Sequence, residues 1–163
     1  MRIVRNSFIV AAICAITVAC DPTPMYEEYV SVAGNSWSAD SSVSFEVEIE
    51  DTTAVYQAIW HLRNNDDYEW SNIYLFRNVT SKRGIEFADT AQFVLADNYG
   101  KWLGKGVGEL KTNSWPFKNG YLRFKHSGKY TFTLQQAMRT NKLNGVEDVG
   151  LGIYKLEPKN DGK

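Results

Sequence analysis

Cysteine is almost missing from this chain of 163 residues: Cys14 and Cys20 are the only two. Both fall within the first twenty positions, so the remainder holds no disulfide and must be stabilised by packing. Histidine is as scarce, with His61 and His126 alone, and neither belongs to a His-Glu-x-x-His pattern that would place two imidazoles on zinc. No Gly-x-Ser-x-Gly elbow occurs, and no cysteine beyond position 20 is left to act as a nucleophile. No cluster of about five to eight Lys or Arg residues exists, which removes the electrostatic footprint of a nucleic-acid binder. No apolar run reaches the ~20 residues that a helix needs to cross hydrocarbon.

What is present begins with a leader. Arg2 and Arg5 supply a positive start, Phe8 to Val18 a short apolar stretch, and the small Ala19 precedes Cys20. This is the layout of a bacterial lipoprotein signal, although Thr17 stands where such signals usually carry a leucine-like residue; an ordinary secretory signal with a chance cysteine is the competing reading. The expectation is cleavage of residues 1–19, acylation of Cys20, and a link to the lipid bilayer made by fatty chains. Losing Arg2 and Arg5 with the leader lowers the formal charge from −1 to −3. Residues 20–31 read as an extended tether, because Pro22 and Pro24 favour extended backbone and Glu27-Glu28 repel. Residues 32–158 are expected to form one domain and 159–163 a disordered tail. The expected location is the cell envelope, facing the periplasm or the cell surface.

Alternation with a period of two dominates the rest. Val43, Phe45, Val47 and Ile49 interleave with Ser44, Glu46 and Glu48, the pattern of a half-buried strand. Further strands are expected from Val55 to Arg63, Ser71 to Thr80, Ile85 to Leu95, around Tyr130 to Gln135, and from Val149 to Leu156. Ser81-Lys82-Arg83-Gly84 and Asn144-Gly145 read as tight connections. Only Gln135 to Leu143 offers a helical turn or two. Seven or eight short strands with turn signals every ten or so residues predict an all-β, antiparallel two-sheet sandwich of the jelly-roll kind. The chain is rich in aromatics, with five Trp, nine Tyr and eight Phe, and these are expected to fill its core.

The densest unusual segment runs from Asp97 to Gly108 and contains Gly100, Gly104, Gly106 and Gly108. It is not a phosphate loop, because Lys105 is followed by Gly106 where the Walker pattern requires Ser or Thr, and no helix is predicted after it. It reads either as a kinked strand whose bare backbone admits a close neighbour or as a docking loop, with Trp102 as anchor and Lys101 and Lys105 as rim charges. Asn64 to Asp67 and Asp97-Asn98 carry oxygen ligands but lack the twelve-residue calcium-loop spacing, and read as turns. Trp60, Trp70, Trp115 and the tyrosines offer ring faces that suit a sugar, so a glycan-binding surface module is the alternative to a docking protein, with Trp70 and Trp115 the first choices for an exposed platform. A hydrolase built from two carboxylates across a cleft is the third possibility.

Taken together, Cys20-Asp21-Pro22, Tyr26-Glu27-Glu28-Tyr29, the strand through Thr53, Leu62 to Tyr68, the Leu95 to Gly108 segment, Gly128 to Arg139 and Gly145 to Leu151 resemble the gliding-motility lipoprotein GldH family of Bacteroidota. The resemblance spans the chain after the leader. It implies an envelope lipoprotein needed for surface gliding and linked to the type IX secretion machinery. It implies no catalytic residues, no cofactor, no metal and no small-molecule substrate, with other envelope proteins of that apparatus as partners. What it carries over is the acylated Cys20 and the motif positions Asp97, Gly100, Lys101, Trp102, Gly104, Gly106, Gly108, Gln136, Met138, Arg139, Asp148 and Gly150, among which Arg139 and Asp148 are expected to be near enough to pair. Where family members often carry a charge after Val-Gly-Leu, this chain has Gly152.

Overall fold

Alternating apolar and polar side chains fold into ten strands, all paired antiparallel, in a computed structural model that describes residues 23–117 and 120–156. In chain order they are β1 (Tyr26–Ser31), β2 (Ser36–Ser38), β3 (Ser42–Ile49), β4 (Val55–Asn64), β5 (Asn72–Ser81), β6 (Gly84–Val94), β7 (Lys111–Pro116), β8 (Gly128–Gln136), β9 (Lys142–Asn144) and β10 (Val146–Leu156). One sheet has the order β1-β10-β4-β7, the other β3-β8-β5-β6, and β2 pairs with β9 as a small ribbon. The expected leader, the acylated Cys20 and the 159–163 tail lie outside the described residues.

The two sheets face each other across the aromatic core that the composition predicts. In β3, Phe45, Val47 and Ile49 are buried while Ser44, Glu46 and Glu48 are exposed, and β5 repeats the pattern with Ile73 and Leu75 inside, Tyr74 and Phe76 outside. Trp60 of β4 is 1% exposed and centres the packing, its ring 6.3 Å from Phe45, 6.3 Å from Phe117 and 6.0 Å from Phe132. These spacings lie in the range where tilted and edge-on rings attract. One cation shares this interior: Arg77 follows the inward parity of β5, is 6% exposed, and meets Asp89 of β6 through two bonds of 2.9 and 2.6 Å. Its guanidinium also lies 5.3 Å from the Phe117 ring centroid. The two-pronged pairing and the ring faces offset the cost of removing that charge from water.

Three details differ from the sequence reading. Tyr26–Ser31, assigned there to the tether, is strand β1, because its extended backbone finds partners in β10 from Tyr26↔Ile153 to Ser31↔Asp148. The helical turn expected between Gln135 and Leu143 is instead the end of β8, a bend and β9; the one 3-10 turn among the described residues spans Ala33–Asn35. Ten strands occur among the described residues because β1, β2, β7 and β9 join those anticipated.

Register divides the sandwich into two ends. At one, Tyr26 lies beside Ile153, Val55 beside Leu156, and Ser81 beside Gly84, so the chain enters the sandwich through β1 and leaves it through β10 there. At the other lie the Asn65 to Ser71 connection, the loop that leads into Lys111 of β7, and the bend after Gln136. Strands of ten or eleven residues at ~3.3 Å per residue set these ends roughly 30 Å apart.

Candidate docking site

The glycine-rich loop sits at the end remote from chain entry. Asp97 organises its start: its Oδ1 accepts the N–H groups of Tyr99 and Lys101 at 2.9 and 3.0 Å, while Gly100 N–H donates to Asp97 O at 3.0 Å. The segment then turns back on itself, with Leu103 N–H donating to Leu95 O at 2.8 Å, and Lys105 and Thr112 exchanging two bonds of 2.8 and 2.7 Å. Gly104 lies under the Asn113 side chain, and Gly108 O accepts the Lys111 ammonium. Gly106 is required by close approach, since a Cβ there would lie 2.1 Å from Leu110 O.

Trp102 is held down. Its Nε1–H donates to Asp66 Oδ1 at 2.9 Å, and its ring meets Tyr68 edge-on at 6.2 Å. Burial in turn pushes the Tyr68 phenol well above the usual range. The large apolar side chains left projecting from the loop are Tyr99, Leu103 and Val107, at 95%, 56% and 99% exposure. These three had no signal of their own in the sequence, because exposure of a loop apolar residue depends on which neighbours fold over it.

The bend after β8 lies at the same end. Gln136 is buried, donating from Nε2 to Thr140 O at 2.9 Å and accepting Met138 N–H at 2.8 Å. Ala137 N–H donates to Tyr74 O at 2.8 Å, and Tyr74 N–H points to Met138 Sδ at 3.3 Å. These contacts form one wall of an open groove of about 580 Å³ lined by Trp70, Asn72, Tyr74, Ala137, Met138 and Arg139. Of the two tryptophans singled out as sugar platforms, Trp70 is 47% exposed in this groove, whereas Trp115 packs against Phe93 at 4.6 Å.

Arg139 and Asp148 do not meet. Asp148 lies on the outer face of the β10 sheet, where it accepts Ser31 Oγ–H at 2.7 Å and faces Arg63 at 3.5 Å, while Arg139 projects from the other sheet. Arg63 extends this cluster, its guanidinium 4.3 Å above the Tyr29 ring, which stands 5.3 Å from the His61 ring. Gly150 makes room for it, because a Cβ there would fall 2.6 Å from Tyr29 Cδ1. Gly152, the departure from the charged pattern, is buried against Tyr154 and His61.

His61 is hydrogen-bonded through Nδ1 to Ser114 Oγ at 2.9 Å, and burial pulls its imidazole below the ordinary value. Its Nε2 is buried without a partner. A serine–histidine pair of this kind needs a third group to orient the ring and donors to receive an oxyanion; no carboxylate is hydrogen-bonded to either ring nitrogen among the described residues. No group of three His, Cys, Asp or Glu suited to a metal occurs among the described residues, and the side-chain oxygens of Asn64, Asn65 and Asp66 accept from Asn113, the Asp67 N–H and Trp102.

Fold and surface define a class: an antiparallel β-sandwich with a glycine-rich loop and a groove at one end and a polar and aromatic cluster around Asp148 and Gly150 on the outer face of one sheet. Its family is shown by comparison with known proteins. The GldH lipoprotein profile matches residues 24–153, and the chain belongs to that family. It is 35% identical over 164 residues to the gliding motility lipoprotein GldH homolog of Christiangramia forsetii, covering 96% of this chain and 99% of that one. It is 31% identical over 160 residues to the gliding motility lipoprotein GldH of Flavobacterium johnsoniae, covering 94% and 98%. Among solved structures, dimeric latent PorU from Porphyromonas gingivalis aligns with 85% of this chain and 14% of its own at 7% identity, with a TM-score of 0.32.

Proposed function

We propose that this protein is a non-enzymatic structural or assembly component of the gliding-motility and type IX secretion-associated machinery, held in the envelope by acylated Cys20 and meeting other envelope proteins through its remote end. One observation carries the reading: the chain enters the sandwich beside Ile153, whereas Asp97 to Gly108 and Gln136 to Arg139 lie at the opposite end, about 30 Å away. A body anchored at one end presents the other. Confinement to a membrane raises the effective concentration of partners there, so a modest patch such as Tyr99, Leu103 and Val107 suffices for specific contact. Lys101 and Lys105 flank that patch as rim charges, and Trp102 is the post on which the loop is fixed.

The test is co-purification from envelopes of the full-length lipoprotein and of a triple variant, Tyr99→Ser, Leu103→Ser and Val107→Ser, which alters only exposed side chains. Wild type is expected to bring down motility or secretion components, and the variant to recover them at least about tenfold less well. Recovery of none by wild type, or equal recovery by both, overturns the proposal.

A further inference from the structure

The groove between β5 and the bend after β8 has a chemistry that the docking loop does not use. Two aromatic side chains open onto it, Trp70 at 47% and Tyr74 at 40% exposure. Three of its lining residues carry polar side-chain groups with no partner among the described residues: the Trp70 indole N–H, the Asn72 side-chain amide and the Arg139 guanidinium. Arg139 is the only charged residue of the lining. A concave site with aromatic walls and a few polar groups not committed to protein partners is the usual form of a small-ligand site.

We infer that this groove binds an acidic oligosaccharide. The ring faces of Trp70 and Tyr74 suit the C–H faces of sugar rings, Asn72 can donate to and accept from hydroxyls, and the Trp70 N–H donates to an oxygen. The free guanidinium of Arg139 selects a ligand that carries a carboxylate, sulfate or phosphate. The volume lies within the ordinary range for ligand sites, roughly 300 to 1,000 Å³. A peptide added as a further strand is disfavoured by the backbone. β5 is paired with β6 on one side and β8 on the other, and the Tyr74 main chain is already bonded to Ala137 and Met138. What the groove offers is side-chain donors and rings, which is what a hydroxyl-rich ligand uses. This inference is independent of the loop-borne contacts proposed above, since it involves none of Tyr99, Leu103 or Val107.

The full-length lipoprotein in detergent is applied to an array of neutral oligosaccharides and of uronate-, sialate-, sulfate- and phosphate-bearing ones, and titrations follow with one acidic binder and its neutral counterpart of equal length. The acidic ligand is expected to bind at least about tenfold more tightly than the neutral one. Trp70→Ala is expected to weaken it about tenfold or more, and Arg139→Gln to bring acidic and neutral affinities within about twofold. Both positions are exposed, and an unchanged melting temperature confirms that each variant is folded. Retention of no acidic oligosaccharide, binding that survives Trp70→Ala, or a preference for acidic ligands that survives Arg139→Gln overturns the inference. None of these outcomes bears on recovery of protein partners through the loop.

Discussion

Single residues carry constraints here that leave measurable signatures. Gly145 has φ +75°, and a Cβ at that position would lie 2.2 Å from Tyr68 N, so a side chain meets both backbone strain and rigid backbone. Gly145→Ala is expected to cost at least about 2 kcal/mol in urea unfolding, whereas Gly84→Ala, where open space surrounds the site, should lose less. His61 gives a pH dependence. Burial lowers its folded-state pKa, while the unfolded imidazole keeps its ordinary value near 6.5. As pH falls through that value the unfolded chain takes up a proton that the folded chain refuses, so stability declines toward acid by up to about 1.4 kcal/mol per pH unit. Melting temperatures between pH 7.5 and 5.5 should show this decline, and His61→Gln should flatten it. Of the side chains around His61, Arg63 was legible, two residues along the same strand and so on the same face, whereas Tyr29 and Ser114 come from β1 and β7, and nothing in the sequence brings those strands alongside.

At the scale of strands, alternation made β3, β5 and β8 legible, because each has one wet and one buried face and a period of two marks them. It could not show β2 or β9, which at three residues have no period to read, nor β1, whose paired glutamates, close after Pro22 and Pro24, look the same in a tether as in an edge strand. The groove was half visible. Trp70 and the Gln136 to Arg139 motif both drew notice, but they are joined through Tyr74 and Met138, 64 residues apart, and that juxtaposition belongs to the sheet order. Edge strand β6 shows how one element is specified. Its eleven residues lack Lys and Pro, and the inward Asp89 bound to buried Arg77 ties it to β5 in a single register. Asp89→Ala strands a buried guanidinium and is expected to cost about 3 kcal/mol in chemical denaturation, somewhat less than for a fully enclosed pair because Asp89 is partly exposed. The double variant Arg77→Met with Asp89→Leu should recover most of that loss while weakening the register of β6, which hydrogen exchange along Gly84–Val94 would report as lowered protection.

For the molecule as a whole, the account is one of polarity. Chain entry, the Ser81 to Gly84 hairpin and the segment around Tyr121 occupy one end, and the glycine-rich loop and the Gln136 to Arg139 bend the other. The central claim is that the remote end meets partners, and site-specific photocrosslinking of the full-length protein in living cells tests it most directly. A crosslinker replaces Tyr99 or Val107 at the remote end and, in separate strains, Ile85 or Tyr121 at the entry end, all of them at least 66% exposed. The account predicts discrete protein adducts from positions 99 and 107 and none of comparable yield from 85 and 121. Equal adducts from both ends, or adducts from 85 and 121 alone, would contradict it.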